Sequence, residues 1–271
     1  MRSYLLILFI AALSNLAHCD PDPQPPSELL EQKIVFVSIP KSGTHLFRKA
    51  LRLITGGLSV NWIAINSVYR FDPYKNLGIA KPITGAHLFP EIDLIRTECS
   101  DKYKKILIIR DPRDVMVSFM YHLQSQKIWA GRENYDFEKF EKLPLDKRLR
   151  ETLLYPAVLR NPKTCFQYAA KWMREPGVLV CRFEDLVGAK GGGSSKQQLK
   201  ILKEIAQFLG YGLSEKEIKA IGDQLFGDTW TFRKGKIGAW KTHYNKENKE
   251  LFKKLMGQSV IDLGYAKDDQ W

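Results

Sequence analysis

An α/β fold with a central, mostly parallel sheet flanked by helices is predicted by three features of this sequence. Short apolar runs rich in β-branched and aromatic residues recur at 33–39, 105–109 and 177–181. Each leads through a tight turn into a stretch with helical character, the first half of a βαβ unit. The runs do not alternate apolar with polar residues, which is how strands covered by helices on both faces read. A length of 271 residues, with 44% hydrophobic and 27% charged residues, fits one large domain of this kind.

Along the chain, Arg2 precedes an apolar stretch from Tyr4 to Leu13, and Ala17-His18-Cys19 follows. Residues 1–19 therefore read as a signal peptide or signal anchor, too short for an ordinary membrane span. The proline-rich piece from Asp20 opens a linker over 20–32. This start predicts a secretory or extracytoplasmic location. An uncleaved start predicts a membrane-tethered protein, and a start that is not a signal leaves it in the cytoplasm.

The first strand, 33–39, ends at Pro40. A helix over 43–54 follows, with Leu46, Phe47, Ala50, Leu51 and Ile54 on one face and Gly56-Gly57 as its stop. Residues 82–86 form a short strand candidate. The strand at 105–109 leads into Arg110-Asp-Pro-Arg113 and a helix from Asp114 to about Gln124. The segment 127–161 is too long for a plain connection and predicts helices plus a lid. The strand at 177–181 carries Cys181 as a buried thiol. It precedes Glu184-Asp185, a glycine-rich loop at Gly191-Gly-Gly193 and an amphipathic helix over 197–209. Ser214-x-x-Glu217 caps the next helix.

The net charge of +12 favours acidic partners: nucleic acid, an anionic membrane or a multiply phosphorylated small molecule. Four cysteines, Cys19, Cys99, Cys165 and Cys181, contain no C-x-x-C pair, which argues against zinc. Between the first strand and its helix lies Pro40-Lys41-Ser42-Gly43-Thr44. Backbone N–H groups at a helix start converge on an anion there. Gly43 permits close approach, Ser42 and Thr44 offer hydroxyl donors, and Lys41 brings a mobile charge. The early glycine of a Walker A loop is missing.

Three stretches carry a resemblance. Pro40 to Thr44 resembles the 5′-phosphosulfate loop of the cytosolic-type sulfotransferases, which use 3′-phosphoadenosine 5′-phosphosulfate (PAPS). Arg110-Asp-Pro-Arg-Asp-Val-Met-Val-Ser118 is similar to that family's 3′-phosphate segment. Phe232-Arg-Lys-Gly-Lys-Ile-Gly-Ala-Trp-Lys241 is similar to its C-terminal Arg-Lys-Gly motif. The resemblance implies a P-loop-like sulfotransferase domain over 33–265, with PAPS as co-substrate, 3′,5′-adenosine bisphosphate (PAP) as product and no metal. PAPS carries roughly four negative charges and calls for two cationic cradles. Lys41, Ser42, Gly43, Thr44 and His45 would hold its 5′ end; Arg110, Ser118, Arg233, Lys234 and Gly235 would hold the 3′-phosphate. Lys41 would neutralise the leaving oxygen. His87, in Thr84-Gly-Ala-His-Leu-Phe-Pro90, matches the family's catalytic base, with His45, His122 and His243 as weaker candidates.

The match also departs from the family. Leu46 stands near the aromatic that stacks on adenine, so Phe183, which replaces a tyrosine, and Trp230 become the adenine candidates. Gly85 stands where a lysine is common. The dimer motif keeps Lys241 and Glu250 but has Asn245-Lys246 at its centre, which argues against the family's homodimer. A small-molecule hydroxyl (or amine) acceptor is expected in a pocket carrying Phe89, Trp129 and Tyr135, with a glycan or a tyrosine peptide as other acceptors and nucleic acid as none. Two rival functions use the same residues: a nucleotide or nucleoside kinase, with magnesium on Asp111 or Asp185, and a non-catalytic basic module that binds polyanions such as nucleic acid or glycosaminoglycan.

Overall fold

The computed structural model describes residues 33–58, 60–63, 83–87, 103–126, 135–154, 162–229 and 233–271. Expectations for the N-terminal signal and linker, Phe89, Trp129 and Trp230 fall outside the described residues.

Five strands form one sheet: β1 (Lys33–Ser38), β2 (Asn61–Ile63), β3 (Ile83–His87), β4 (Tyr103–Ile109) and β5 (Val178–Arg182). They lie in the order β2-β3-β1-β4-β5, and every described pair is parallel. The non-alternating runs are explained by burial on both faces. Ile34 and Phe36 of β1 and Ile106 and Ile108 of β4 enter one core, while Val35, Val37, Leu107 and Ile109 enter the other. The first core is covered by α1 (Thr44–Ile54), α6 (Phe183–Leu186), α7 (Ser195–Phe208) and α8 (Glu215–Leu225). The second lies under α2 (Pro112–Gln126), α3 (Phe137–Lys142), α4 (Leu145–Leu154), α5 (Pro162–Trp172), α9 (Trp240–His243) and α10 (Lys246–Asp262). Fully burying each large apolar side chain contributes about 1.5–3 kcal/mol, so both faces are needed to hold the sheet.

The chain turns from β3 on one side of β1 to β4 on the other, so β1 is the switch point at whose carboxyl end such sheets bind ligands. Helix α2 begins two residues earlier than the apolar pattern predicts. Asp111 accepts the Arg113 N–H at 2.9 Å as N-cap and Pro112 occupies the first helical position. The capping box at Ser214 and Glu217 forms as expected. Within 127–161, α3 and α4 are helical, and 127–134 and 155–161 fall outside the described residues. Strand β2, three residues long, is too short to show a period. Among the described residues no helix is long and apolar enough to cross a membrane.

Candidate active site

The carboxyl edge of the sheet collects most of the candidate residues. The Lys41 turn follows β1, His87 ends β3, Arg110 follows β4 and Phe183 follows β5. Ser38 is in register with both His87 and Ile108, and Ile109 with Arg182, so these ends are level. At about 4.8 Å per strand gap, the row from β3 to β5 spans about 14 Å.

The Lys41 turn is built from its own residues. The Ser42 N–H donates to the Ile39 carbonyl at 3.0 Å, closing a β-turn with Pro40 second and Lys41 third. Lys41 has φ 69°, which with proline before it defines a type II turn. Glycine normally fills that position, so a lysine there holds about 1–2 kcal/mol of backbone strain. Gly43, at φ 98°, is a glycine for two reasons: a Cβ there would also lie 2.7 Å from Cδ2 of Phe183.

Ser42 departs from expectation. Its hydroxyl faces the carbonyls of Ile39 at 2.5 Å and Ile108 at 3.1 Å and is fully buried, so its proton ties the turn to β4 instead of reaching an anion. Thr44 Oγ1 lies 2.8 Å from Ser38 Oγ, and Ser38 Oγ lies 3.2 Å from His87 Nδ1. The sequence did not single out Ser38. Its side chain joins the anion turn to the candidate base.

Basic side chains gather at this end, and their charge is suppressed. Burial, and then Arg110, lower the Lys41 ammonium to about 8. Burial lowers His87 to about 4 against an opposing hydrogen bond to the Ser38 backbone, with His45, Lys41 and His122 adding to the fall. Burial, Lys41 and His45 bring His122 to about 4. His45 is lowered by burial, Arg48 and Lys41. His45 and His122 thus join Lys41 and His87 at one place; the signal for His122 was its position one helical turn after Ser118.

The Arg110 end is braced by contrast. Arg110 donates from Nη2 to the Lys236 carbonyl at 2.9 Å, lies 3.7 Å from Asp114 and stacks 4.2 Å from the Phe183 ring centre. Its Nε is buried without a hydrogen-bond partner among the described residues. Asp114 accepts the N–H groups of Gly238 and Trp240 at 2.8 and 2.9 Å, pinning the C-terminal loop beside Arg110. Burial raises its carboxyl above the usual range, with Arg110 opposing. Arg233 stacks 3.7 Å from the centre of the Tyr121 ring, three residues along α2 from half-buried Ser118. Burial lowers its guanidinium, Tyr121 opposes, and Arg110 adds to the fall, so the two guanidinium groups share one locale. Lys234 is exposed beside it. Gly235, at φ 57°, turns its carbonyl onto Gly191, where a Cβ would lie 2.7 Å from it. The glycine-rich loop is therefore a seat for this segment, with the Ile237 N–H donating to Gly191 O at 3.0 Å.

Phe183 also departs from expectation. It is 5% exposed and wedged between Gly43 and Arg110, a spacer between these two strand ends and not an open platform for adenine. Leu46 points into the core. Gly85 lacks a side chain because a Cβ would land inside the ring of Phe36, its register partner on β1. Asp111, a magnesium ligand in a kinase, is paired with Arg113 at 2.7 Å. Among the described residues no group of three His, Cys, Asp or Glu side chains could hold a metal ion.

These residues define a parallel α/β domain with polar side chains gathered at its carboxyl edge. Lys41 and three histidines stand at one end, and two arginines, one with an N–H buried without a partner among the described residues, stand at the other. That fits a nucleotide anionic at both ends, as PAPS is. The family model described as "Sulfotransferase domain" matches residues 31–264, and the chain belongs to this family. It is 23% identical over 270 residues to human sulfotransferase 2A1, with 86% of each chain covered. It is 26% identical over 267 residues to guinea pig 3-beta-hydroxysteroid sulfotransferase, covering 85% of this chain and 84% of that one. Among solved structures, mouse sulfotransferase SULT7A1 complexed with PAP superposes with a TM-score of 0.61 at 20% identity, covering 89% of this chain and 95% of the other. The chain is an enzyme, a PAPS-dependent sulfotransferase.

Proposed function

We propose that this enzyme moves the sulfuryl group of PAPS to the hydroxyl of a small molecule, with Lys41 at the leaving oxygen and His87 as the base. One observation carries the proposal: Lys41, His45, His87 and His122 gather at the carboxyl ends of β1 and β3, where burial lowers all four groups and Lys41 lowers the three histidines further. A buried ammonium among neutral imidazoles, with Arg110 beside it, is complementary to an incoming anion. When bound, PAPS supplies an activated sulfuryl group on a phosphate leaving oxygen.

The residues then divide the work. The Lys41 ammonium, held at the turn by its constrained backbone, neutralises charge at the 5′ end. Arg110, Arg233, Lys234, Ser118 and the Gly235 amide hold the 3′-phosphate, and the orphan N–H of Arg110 gives it a donor to spare. His87 is neutral at pH 7 and takes the acceptor proton. Its Nδ1 lies 3.2 Å from Ser38 Oγ, and with the ring proton on Nδ1 the basic nitrogen is Nε2. In that tautomer the Nδ1–H donates to Ser38 Oγ, Ser38 donates to Thr44 Oγ1, and the Thr44 proton is left for the anion. The relay aligns base and anion turn together.

A hydroxylated lipid-like acceptor is supported by the steroid named in one relative. Tyr135 packs edge-on against Phe137 and Phe140 beside the core. Asn245, at the centre of the altered dimer motif, caps α10 by accepting the Asn248 N–H at 2.8 Å, which supports a chain that does not use that motif to pair. We assign the enzyme to a secretory-pathway lumen supplied with PAPS. The test incubates the protein with labelled PAPS and a panel of phenols, sterols, glycans and tyrosine peptides. Label should pass to a sterol-type hydroxyl, and Lys41→Ala should abolish transfer. Label moving only to glycans or peptides overturns the acceptor assignment, and no transfer to any acceptor overturns the function.

A further inference from the structure

We propose that Tyr121 and His243 are positioning residues that aim Arg233 at the 3′-phosphate, and so set the preference for a 3′-phosphorylated nucleotide over one without that phosphate. This rests on the reading of Arg233 as part of the 3′-phosphate cradle.

His243 Nδ1 lies 2.7 Å from the Ala239 carbonyl. A carbonyl oxygen only accepts, so Nδ1 carries the proton and, in the neutral ring, Nε2 is a bare acceptor. Tyr121 Oη lies 3.0 Å from that Nε2 and therefore donates to it. The two rings meet edge to face, with centres 5.7 Å apart. Donation polarises the phenol toward its oxygen and enriches the ring, and the Arg233 guanidinium lies on that ring at 3.7 Å. Arg233 is otherwise an exposed side chain on a loop. The ring fixes its plane, α2 fixes the ring, and α9 fixes the phenol. Ser118 lies one turn back on α2, so the guanidinium is held over the face that carries it.

The experiment measures PAP and 5′-AMP affinity by calorimetry, since the two ligands share the adenosine 5′-phosphate and differ at the 3′ position. Arg233→Ala is the reference and should abolish most of the preference for PAP. Tyr121→Leu should weaken PAP by about tenfold, and Tyr121→Phe and His243→Leu by about threefold, with 5′-AMP unchanged in each. His243→Gln, which keeps an acceptor for the phenol, should recover part of the loss. Should Arg233→Ala lose the preference while Tyr121→Leu and His243→Leu keep the wild-type ratio, the positioning role is wrong. Should Arg233→Ala itself keep the ratio, the cradle assignment fails first and takes the inference with it. A general loss of folding would lower both affinities together and leave the ratio at its wild-type value, which also counts against the proposal.

Discussion

At the Lys41 end of the site, a buried ammonium stands among three histidines, and burial lowers the pKa of all four groups. At the Arg110 end, the guanidinium groups are braced by Asp114, a backbone carbonyl and two aromatic rings. Strain follows the same division: the non-glycine residue with positive φ at the site is Lys41. A group with a displaced pKa on a strained backbone is arranged to change state during a reaction, whereas a stacked and paired arginine is arranged to hold still. The comparison separates chemistry from grip within one row of strand ends.

The largest test of that separation is His87→Gln. Transfer should fall by about 10²–10⁴-fold while PAP affinity stays within about twofold, compared by transfer assay and calorimetry. Full turnover in this variant would remove His87 from the mechanism. Arg110→Ala should do the reverse. It truncates a buried, partnered charge, so the PAP Kd should rise by about thirtyfold or more, with kcat at saturating donor nearly kept. A collapse of kcat with unchanged affinity would merge the two ends.

Acidity sharpens the contrast next. His87 and His122 have folded pKa values depressed to about 4 from 6.5, so the unfolded chain takes up protons first. Stability is complete above pH 6.5 and is lost as pH falls from 6.5 toward 4. The melting temperature should drop over that window in the free protein and drop less with saturating PAP. An unchanged melting temperature would deny that these imidazoles are buried neutral. The smallest effect concerns strain alone: Lys41→Gly should be more stable than Lys41→Ala by about 1 kcal/mol in denaturant, although both are inactive.

Local chemistry was legible in the sequence and nonlocal partnering was not. Pro40 fixes the start of the anion turn and Gly43 its close approach, and both follow from the chain as written. The direction of the Ser42 hydroxyl depends on the Ile108 carbonyl, 66 residues away on β4, which no local pattern reveals. Phe183 reads as an aromatic near a ligand; only the approach of Gly43 and Arg110 from two other strand ends makes it a wedge. Gly85 departs from the family pattern because Phe36 lies beside it, a register fact. Asp114, which clamps Gly238 and Trp240 beside Arg110, looks like any acidic residue at a helix start. The resemblance named the stretches around Lys41, Arg110 and Arg233, but not the contacts of Ser38 with Thr44 and His87 or the Tyr121–His243 hydrogen bond, because neither belongs to a motif.

The central claim is that the turn carrying Lys41 is an anion site whose charge is incomplete until its ligand arrives. Lys41, lowered to about 8, is half protonated at pH 8, and a bound anion raises its pKa. Calorimetric titration with PAP at pH 8, in buffers of different ionisation enthalpy, should therefore show one PAP per chain and uptake of about half a proton. That uptake should vanish in Lys41→Ala, and the wild-type affinity should decline as pH rises above 8. Absence of PAP binding, or binding with no proton uptake in the wild-type chain, would contradict the account.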